Sequence, residues 1–182
     1  MKKLSEKKSL LIFGVILLVY GILFTLLKTG VIGAYYEGII LLTFINIILA
    51  VSLNLIVGFT GQLCLGHAGF MAIGAYISAI ISTKANLPFF LAIIVGAIVS
   101  AFFAALIGFP TLRLTGDYFA ITTLAFCEII RVIIMNIDYV GGARGFTGIP
   151  TKTTISISFW VMALTVIIIY NIIHSSQGRA ML

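Results

Sequence analysis

The sequence predicts an all-α fold: a polytopic transmembrane helix bundle of about six hydrophobic segments, with one helix interrupted near residues 58–69. Three observations carry that prediction. Of the 182 residues, 62% are hydrophobic and only 9% are charged, whereas soluble domains are about 45–50% apolar and about 25% charged. The apolar residues gather into runs close to the ~20 residues that a membrane crossing needs. The third is the stretch Asn54 to Tyr76, NLIVGFTGQLCLGHAGFMAIGAY, which interleaves Gly58, Gly61, Gly66 and Gly69 with Thr60, Gln62 and His67. No Asp, Glu, Lys or Arg occurs from Gly38 to Thr83. Backbone that is glycine-broken, polar and uncharged between membrane-length apolar runs predicts an interrupted helix or a re-entrant turn. Hydrocarbon tolerates such backbone only where protein or a water-filled cavity satisfies its N–H and C=O groups, and broken helices of this kind form substrate regions in transporters.

The first segment, 10–27, follows Lys2, Lys3, Lys7 and Lys8, four of the eleven basic residues. A basic cluster just ahead of an apolar run marks a cytoplasmic N-terminus. The rival reading is a signal peptide. The run from Leu10 to Leu27 is too long for a signal core of ~7–15 residues, and no small-x-small cleavage site precedes Lys28. A retained helix is the better reading. The formal net charge of +6 does not point to nucleic acid, because the basic residues form no stripe or face.

The second segment, 36–57, carries Thr43, Asn46, Ala50 and Asn54 at spacings that share one helical face. Buried amides there need polar partners, and two readings stand open: interhelical hydrogen bonding and lining of a pathway. Asn54, which leads into the glycine break, is the stronger pathway candidate. The third segment, 68–82, is short, as half of a broken helix would be. His67 is the only ionisable side chain between Glu37 and Lys84 apart from Cys64 and Tyr76. Substrate contact or proton relay would be functional readings of it; a neutral imidazole that hydrogen-bonds to freed backbone at the break is preferred.

Pro88 and Pro110 bracket the fourth segment, 87–109. The fifth, 118–137, holds Glu128 and Arg131 at i, i+3, which are neighbouring positions on a helix. Charges at membrane depth are expensive, so mutual neutralisation is expected of them, on a face shared with Thr122 and Ala125. The sixth segment is 155–173. Tyr35, Tyr36, Phe89, Phe90, Tyr118 and Trp160 lie near segment ends, where aromatic rings favour the interface. Six crossings from an inside N-terminus put 110–117 and 174–182 in the cytoplasm and 28–35, 83–86 and 138–154 outside. Arg113 and Asp117 then read as a solvated cytoplasmic anchor.

Catalytic chemistry finds no support. Cys64 and Cys127 have no metal-ligand spacing. The loop GGARGFTGIP, with Gly142, Arg144 and Gly145, lacks the GxxxxGK[ST] order of a phosphate cradle. An intramembrane enzyme would need paired groups, and His67 and His174 belong to opposite ends of the chain. A proton- or sodium-driven carrier would need more intramembrane acids than Glu128. No cofactor and no metal is expected.

Three stretches in order, NLIVGFTGQLCLGHAGFMAIGAY, LRLTGDYFAITTLAFCEIIRV and GGARGFTGIP, resemble the permease subunits of branched-chain amino-acid ABC importers, and among these the M-type. Urea-type permeases of the same kind carry related motifs, so a permease for urea or another small amide or amino acid in the same family is the alternative. The resemblance implies a non-catalytic subunit in the bacterial or archaeal inner membrane. It implies a second permease subunit, ATP-binding subunits that supply the hydrolysis, and an external solute-binding protein. The substrate path would then draw on Asn46, Asn54, Gly58, Gly61, Gln62, Gly66 and His67. Residues 1–182 would form a single, partial transmembrane permease domain. The closing residues, HSSQGRAML, resemble the lead-in to the family's ATPase-docking loop. A chain without that loop is expected to insert in the membrane without recruiting the ATPase by itself.

Overall fold

The computed structural model describes residues 18–22, 25, 33–84, 88–111, 113–114, 116–149, 153–175 and 178. Among them every regular element is helical. The helices are α1, Ala34–Asn54; α2, His67–Lys84; α3, Phe89–Thr111; α4, Asp117–Asn136; and α5, Ile155–His174. Residues 18–22 are helical as well. Most of the first predicted segment, 10–27, lies outside the described residues. By length and composition, four described stretches can cross a membrane: Tyr35–Phe59, Phe89–Thr111, Asp117–Met135 and Ile155–His174. The chain is an all-α, multi-pass membrane protein.

The chain divides into two compact units. One comprises residues 1–52 and 153–180, the other 53–152 with 181–182. In the first, α1 and α5 meet around Phe44, Ile155 and Phe159, with Ile40, Leu41, Ile47 and Met162 packed against them. Tyr20 joins this cluster, its hydroxyl 3.2 Å from Ser156 Oγ and its ring 5.2 Å from that of Phe159. An aromatic ring with a polar tip suits a helix end where apolar packing and polar groups meet.

In the second unit, α2 packs along α3 and α4. The α2/α3 contact is close because Gly74, Ser78, Gly96 and Ser100 face one another. A Cβ on Gly96 would come within 2.7 Å of the Gly74 carbonyl oxygen, and Ser100 Oγ donates to the Phe70 carbonyl at 2.7 Å. Small residues let membrane helices approach, and a hydroxyl-to-carbonyl bond secures them where lipid offers no hydrophobic drive.

Among the described residues, sequence boundaries and structural ones agree within two residues, except that α1 ends at Asn54, three residues before the predicted 57; a smaller difference concerns Pro110. Expected just beyond the fourth segment, it sits inside the last turn of α3. Near a helix C-terminus a missing N–H leaves a single carbonyl unserved. Thr111 caps the turn beside it, its hydroxyl donating to the carbonyls of Ile107 at 2.9 Å and Gly108 at 3.1 Å. Gly116, with φ of 60°, then turns the chain into α4, whose first turn carries Asp117, a charge that favours a helix N-terminus.

Candidate functional site

The predicted interruption is present. After Asn54 the helix widens into a π turn, Leu55–Phe59, and residues 61–66 are non-helical until α2 begins at His67. A Cβ on Gly58 would fall onto the Asn54 carboxamide oxygen, so glycine makes room there for the Asn54 side chain. Gly61 serves a different need. Its φ of 67° is left-handed and nothing crowds it, so only its conformation demands glycine.

Gly66 is a glycine for want of space. A Cβ there would stand 2.7 Å from the Thr123 carbonyl oxygen of α4, and one on Gly69 would stand 3.1 Å from Cys127 Cα. Thr123 also receives the Leu65 amide, N–H to Oγ1, at 3.1 Å. The α4 backbone is therefore the floor on which the broken segment rests. Thr123 had no mark in the sequence, since its partners lie 58 positions away.

The hydrogen bonds of the break are few. Thr60 N–H and Thr60 Oγ1 both return to the Ile56 carbonyl, at 3.2 and 2.5 Å, and the Gly69 amide closes on the Gly66 carbonyl at 3.0 Å. Among the described residues the amides of Gly61, Gln62, Leu63 and Cys64 donate to nothing. Gln62 is half-buried and His67 half-buried at the start of α2.

The polar face of α1 is exposed at Thr43, Asn46, Ala50 and Asn54. Thr43 Oγ1 turns back to the Ile39 carbonyl at 2.8 Å. The amides of Asn46 and Asn54 bond no other described helix, so the interhelical role open to them in sequence is not taken up among the described residues.

Glu128 and Arg131 do pair. Arg131 Nη2 lies 2.7 Å from Glu128 Oε1, and Nε lies 3.1 and 3.0 Å from Oε1 and Oε2. Both side chains are open, at 62% and 55% for Arg131 and Glu128. Their exposed neighbours along α4 are Ile121, Leu124, Val132 and Met135. Thr122 is only part-exposed and lies about a third of a turn away from Glu128 at 3.6 residues per turn, so it does not share their face.

The loop after α4 is tightly wound. Turns at Asp138–Val140 and Gly142–Arg144 are joined through Gly141, and Gly141, Gly142, Gly145 and Gly148 all have positive φ. Arg144 points outward as an exposed charge. Lys84, at the end of α2, sits 3.0 Å from the centroid of the Tyr139 ring, and its Nζ is 3.3 Å from the Tyr139 carbonyl. Nothing in the sequence marks that clasp, since Lys84 stands there only as a charge in the external segment 83–86, 55 positions from Tyr139. Among the described residues no group of His, Cys, Asp and Glu could hold a metal ion.

Two curated relatives overlap this chain. The high-affinity branched-chain amino acid transport system permease protein LivM of Salmonella typhimurium is 42% identical over 91 residues, which is 50% of this chain and 21% of the relative. Its Escherichia coli counterpart is 40% identical over the same length and shares. The chain therefore aligns to about a fifth of the length of either. No solved structure matches. Residues 35–181 match the family described as branched-chain amino acid transport system / permease component. The match takes in the broken helix, its floor on α4 and the wound loop beyond, and on that span the chain belongs to this permease family.

Proposed function

We propose that this chain is a permease subunit of an ATP-binding-cassette importer and forms part of the translocation path for branched-chain amino acids. The observation that carries the reading is the broken helix inside the family-matched span, with four consecutive amides, Gly61 to Cys64, that donate to nothing among the described residues. In hydrocarbon each such group costs several kcal/mol. A segment of this kind is tenable against water, substrate or another subunit. Asn54, Gly58, Gly61, Gln62, Gly66 and His67 contribute to the path at the break, and Asn46 contributes from the exposed face of α1. The wound loop at Gly142, Arg144 and Gly145 caps the path on the outer side and meets an external solute-binding protein.

In this reading the subunit is not an enzyme. A second permease subunit completes the path, ATP-binding subunits supply the hydrolysis, and the assembly works in the inner membrane of a bacterial or archaeal cell. Residues 1–182 then form one permease domain or part of one. The test is leucine uptake by the assembled transport system in membrane vesicles. Wild-type subunit should support ATP-dependent uptake, and Gly61→Leu should abolish it at unchanged membrane abundance. Uptake of urea but not leucine would overturn the substrate assignment. Normal uptake by Gly61→Leu would reduce the break to a passive turn.

A further inference from the structure

We infer that the Glu128–Arg131 pair on α4 is a recognition point for the zwitterionic head group of an amino acid, with the exposed aliphatic residues beside it receiving the side chain. The inference rests on the import function proposed above and adds the atoms that would read the substrate. It starts from the position of the pair. Glu128 and Arg131 fall within a 20-residue helix, Asp117–Asn136, at about 2 and 7 Å from its midpoint at 1.5 Å per residue. A bilayer core extends about 15 Å to either side of its centre. Arg131 cannot relieve itself by reaching the nearer interface, because its side chain leans toward the helix N-terminus and is held there by Glu128 at 2.7 Å. An exposed ion pair at that depth needs a polar surround rather than lipid.

The pair also has unused capacity. Arg131 commits Nε and Nη2 to Glu128, while Nη1 meets only the Met135 thioether at 3.7 Å. Guanidinium is built to hold carboxylate through a fork of donors, so Nη1 with the outer hydrogen of Nη2 remains open to a substrate carboxylate. Glu128 Oε2 accepts a single bond, from Nε at 3.0 Å, and has lone pairs left for a substrate ammonium. A free amino acid brings one group of each sign on neighbouring atoms. It can therefore bridge the pair while the site stays neutral throughout and the Glu128–Arg131 contact stays intact. Leu124 and Val132 flank Glu128 one turn before and one turn after it, and both are exposed. A branched aliphatic side chain lying along α4 would find apolar contact there.

The test uses the assembled importer with leucine as the probe. If the wild type takes up no branched-chain amino acid, the import reading itself fails, whatever the pair does. With an active wild type, the neutral variant Glu128→Gln with Arg131→Gln keeps side-chain bulk and strands no charge. It should reach normal abundance and raise the leucine KM by about tenfold or more, the loss expected of charge-assisted hydrogen bonds. An unchanged KM and kcat would overturn the inference. A second measurement covers the case of poor assembly. In a background of Cys64→Ala with Cys127→Ala, saturating leucine should slow N-ethylmaleimide labelling of Val132→Cys. Leucinamide and 4-methylpentanoate, which each carry one of the two charges, should protect far less. Labelling indifferent to leucine, or a thiol that instead cross-links to a helix of another subunit, would overturn the assignment.

Discussion

Replacing Gly66 with alanine adds one methyl group at the place where the broken segment rests on α4. That methyl would stand 2.7 Å from the Thr123 carbonyl oxygen and 3.2 Å from its carbonyl carbon and Cβ, where ordinary van der Waals contact begins at 3.4 Å. The obstacle is backbone, so no rotamer change relieves it and the two elements must part. Overpacking of this kind costs about 1–3 kcal/mol. Parting them also stretches the bond from Leu65 N–H to Thr123 Oγ1, now 3.1 Å, and a hydrogen bond inside a membrane protein contributes about 0.6 kcal/mol. The expected loss is about 2–3 kcal/mol. Gly61 supplies the contrast. It has no neighbour within 4 Å and a φ of 67°, so Gly61→Asn should cost little, since Asn tolerates left-handed backbone at no more than about 1 kcal/mol. Gly66→Asn should be at least as damaging as Gly66→Ala. The assay is thermal or SDS-induced unfolding of the purified protein in detergent, with all three variants side by side. Equal stability of the two Asn variants, or a Gly66→Ala protein that matches wild type, would refute the account of α4 as the floor.

Four further outcomes follow from the geometry. Gly96→Ala should destabilise by about 1–3 kcal/mol, because its methyl meets the Gly74 carbonyl oxygen at 2.7 Å. Gly108→Ala, in open space on the same helix, should be neutral or stabilising by up to about 1 kcal/mol, which the same unfolding measurement checks. Lys84→Met removes a cation that sits 3.0 Å from the Tyr139 ring centroid. It should raise hydrogen exchange across 138–145 by about two- to fivefold, the equivalent of ~0.5–1 kcal/mol, and Lys84→Arg should restore protection. Glu128→Ala and Arg131→Ala should each lower assembled yield more than the double change, since one strands a charge and the other leaves none. Additive losses in that cycle would mean separate partners. For orientation, an impermeant thiol reagent should label Arg144→Cys and spare Lys3→Cys in a cysteine-free background, and the reverse would invert the predicted topology.

Much of the fold was legible because membrane helices declare themselves by run length and by the absence of charge. Helices α1 to α5 begin and end within two residues of the apolar runs, except that α1 gives way to the wider turn at Asn54, three residues before 57, and Pro110, which removes one i→i−4 bond, falls just before the end of α3 instead of just beyond it. The break was legible for the same reason: glycines and uncharged polar residues in an otherwise apolar stretch. The reasons for the individual glycines were not. Gly61 answers to a left-handed φ and Gly66 to the proximity of Thr123, and nothing within NLIVGFTGQLCLGHAGF separates the two cases. The pairing of Glu128 with Arg131 followed from i, i+3 spacing. The Lys84–Tyr139 clasp and the Leu65–Thr123 bond depend on contacts 55 and 58 residues apart, and a single sequence records no such proximity. The face expected of Thr122 was misjudged because three- and four-residue spacing alone sets helical neighbours, and Thr122 is six positions from Glu128.

The hydrogen bonds of the break differ from those of a tightly wound turn. Beyond Asn136 the amides of Phe146 to Ile149 also donate to nothing among the described residues, whereas the stretch before them satisfies much of its own backbone. There five short-range amide bonds, from Val140, Gly141, Gly142, Arg144 and Gly145, close successive turns at 3.0–3.2 Å. Residues 61–64 do the opposite. They lie between two helices, contain no proline to remove a donor, and still close no turn of their own. The sequence could have closed the gap, since alanine at 61 and 66 would favour continuous helix by about 1 kcal/mol apiece. It carries instead a glycine that permits the left-handed step at 61 and a glycine that lets the segment settle against Thr123. Both glycines act in the same direction, keeping the segment out of a continuous helix, and amides left open are costly wherever hydrocarbon surrounds them. Under the import function proposed above, such a segment is a place for something polar to pass or to bind.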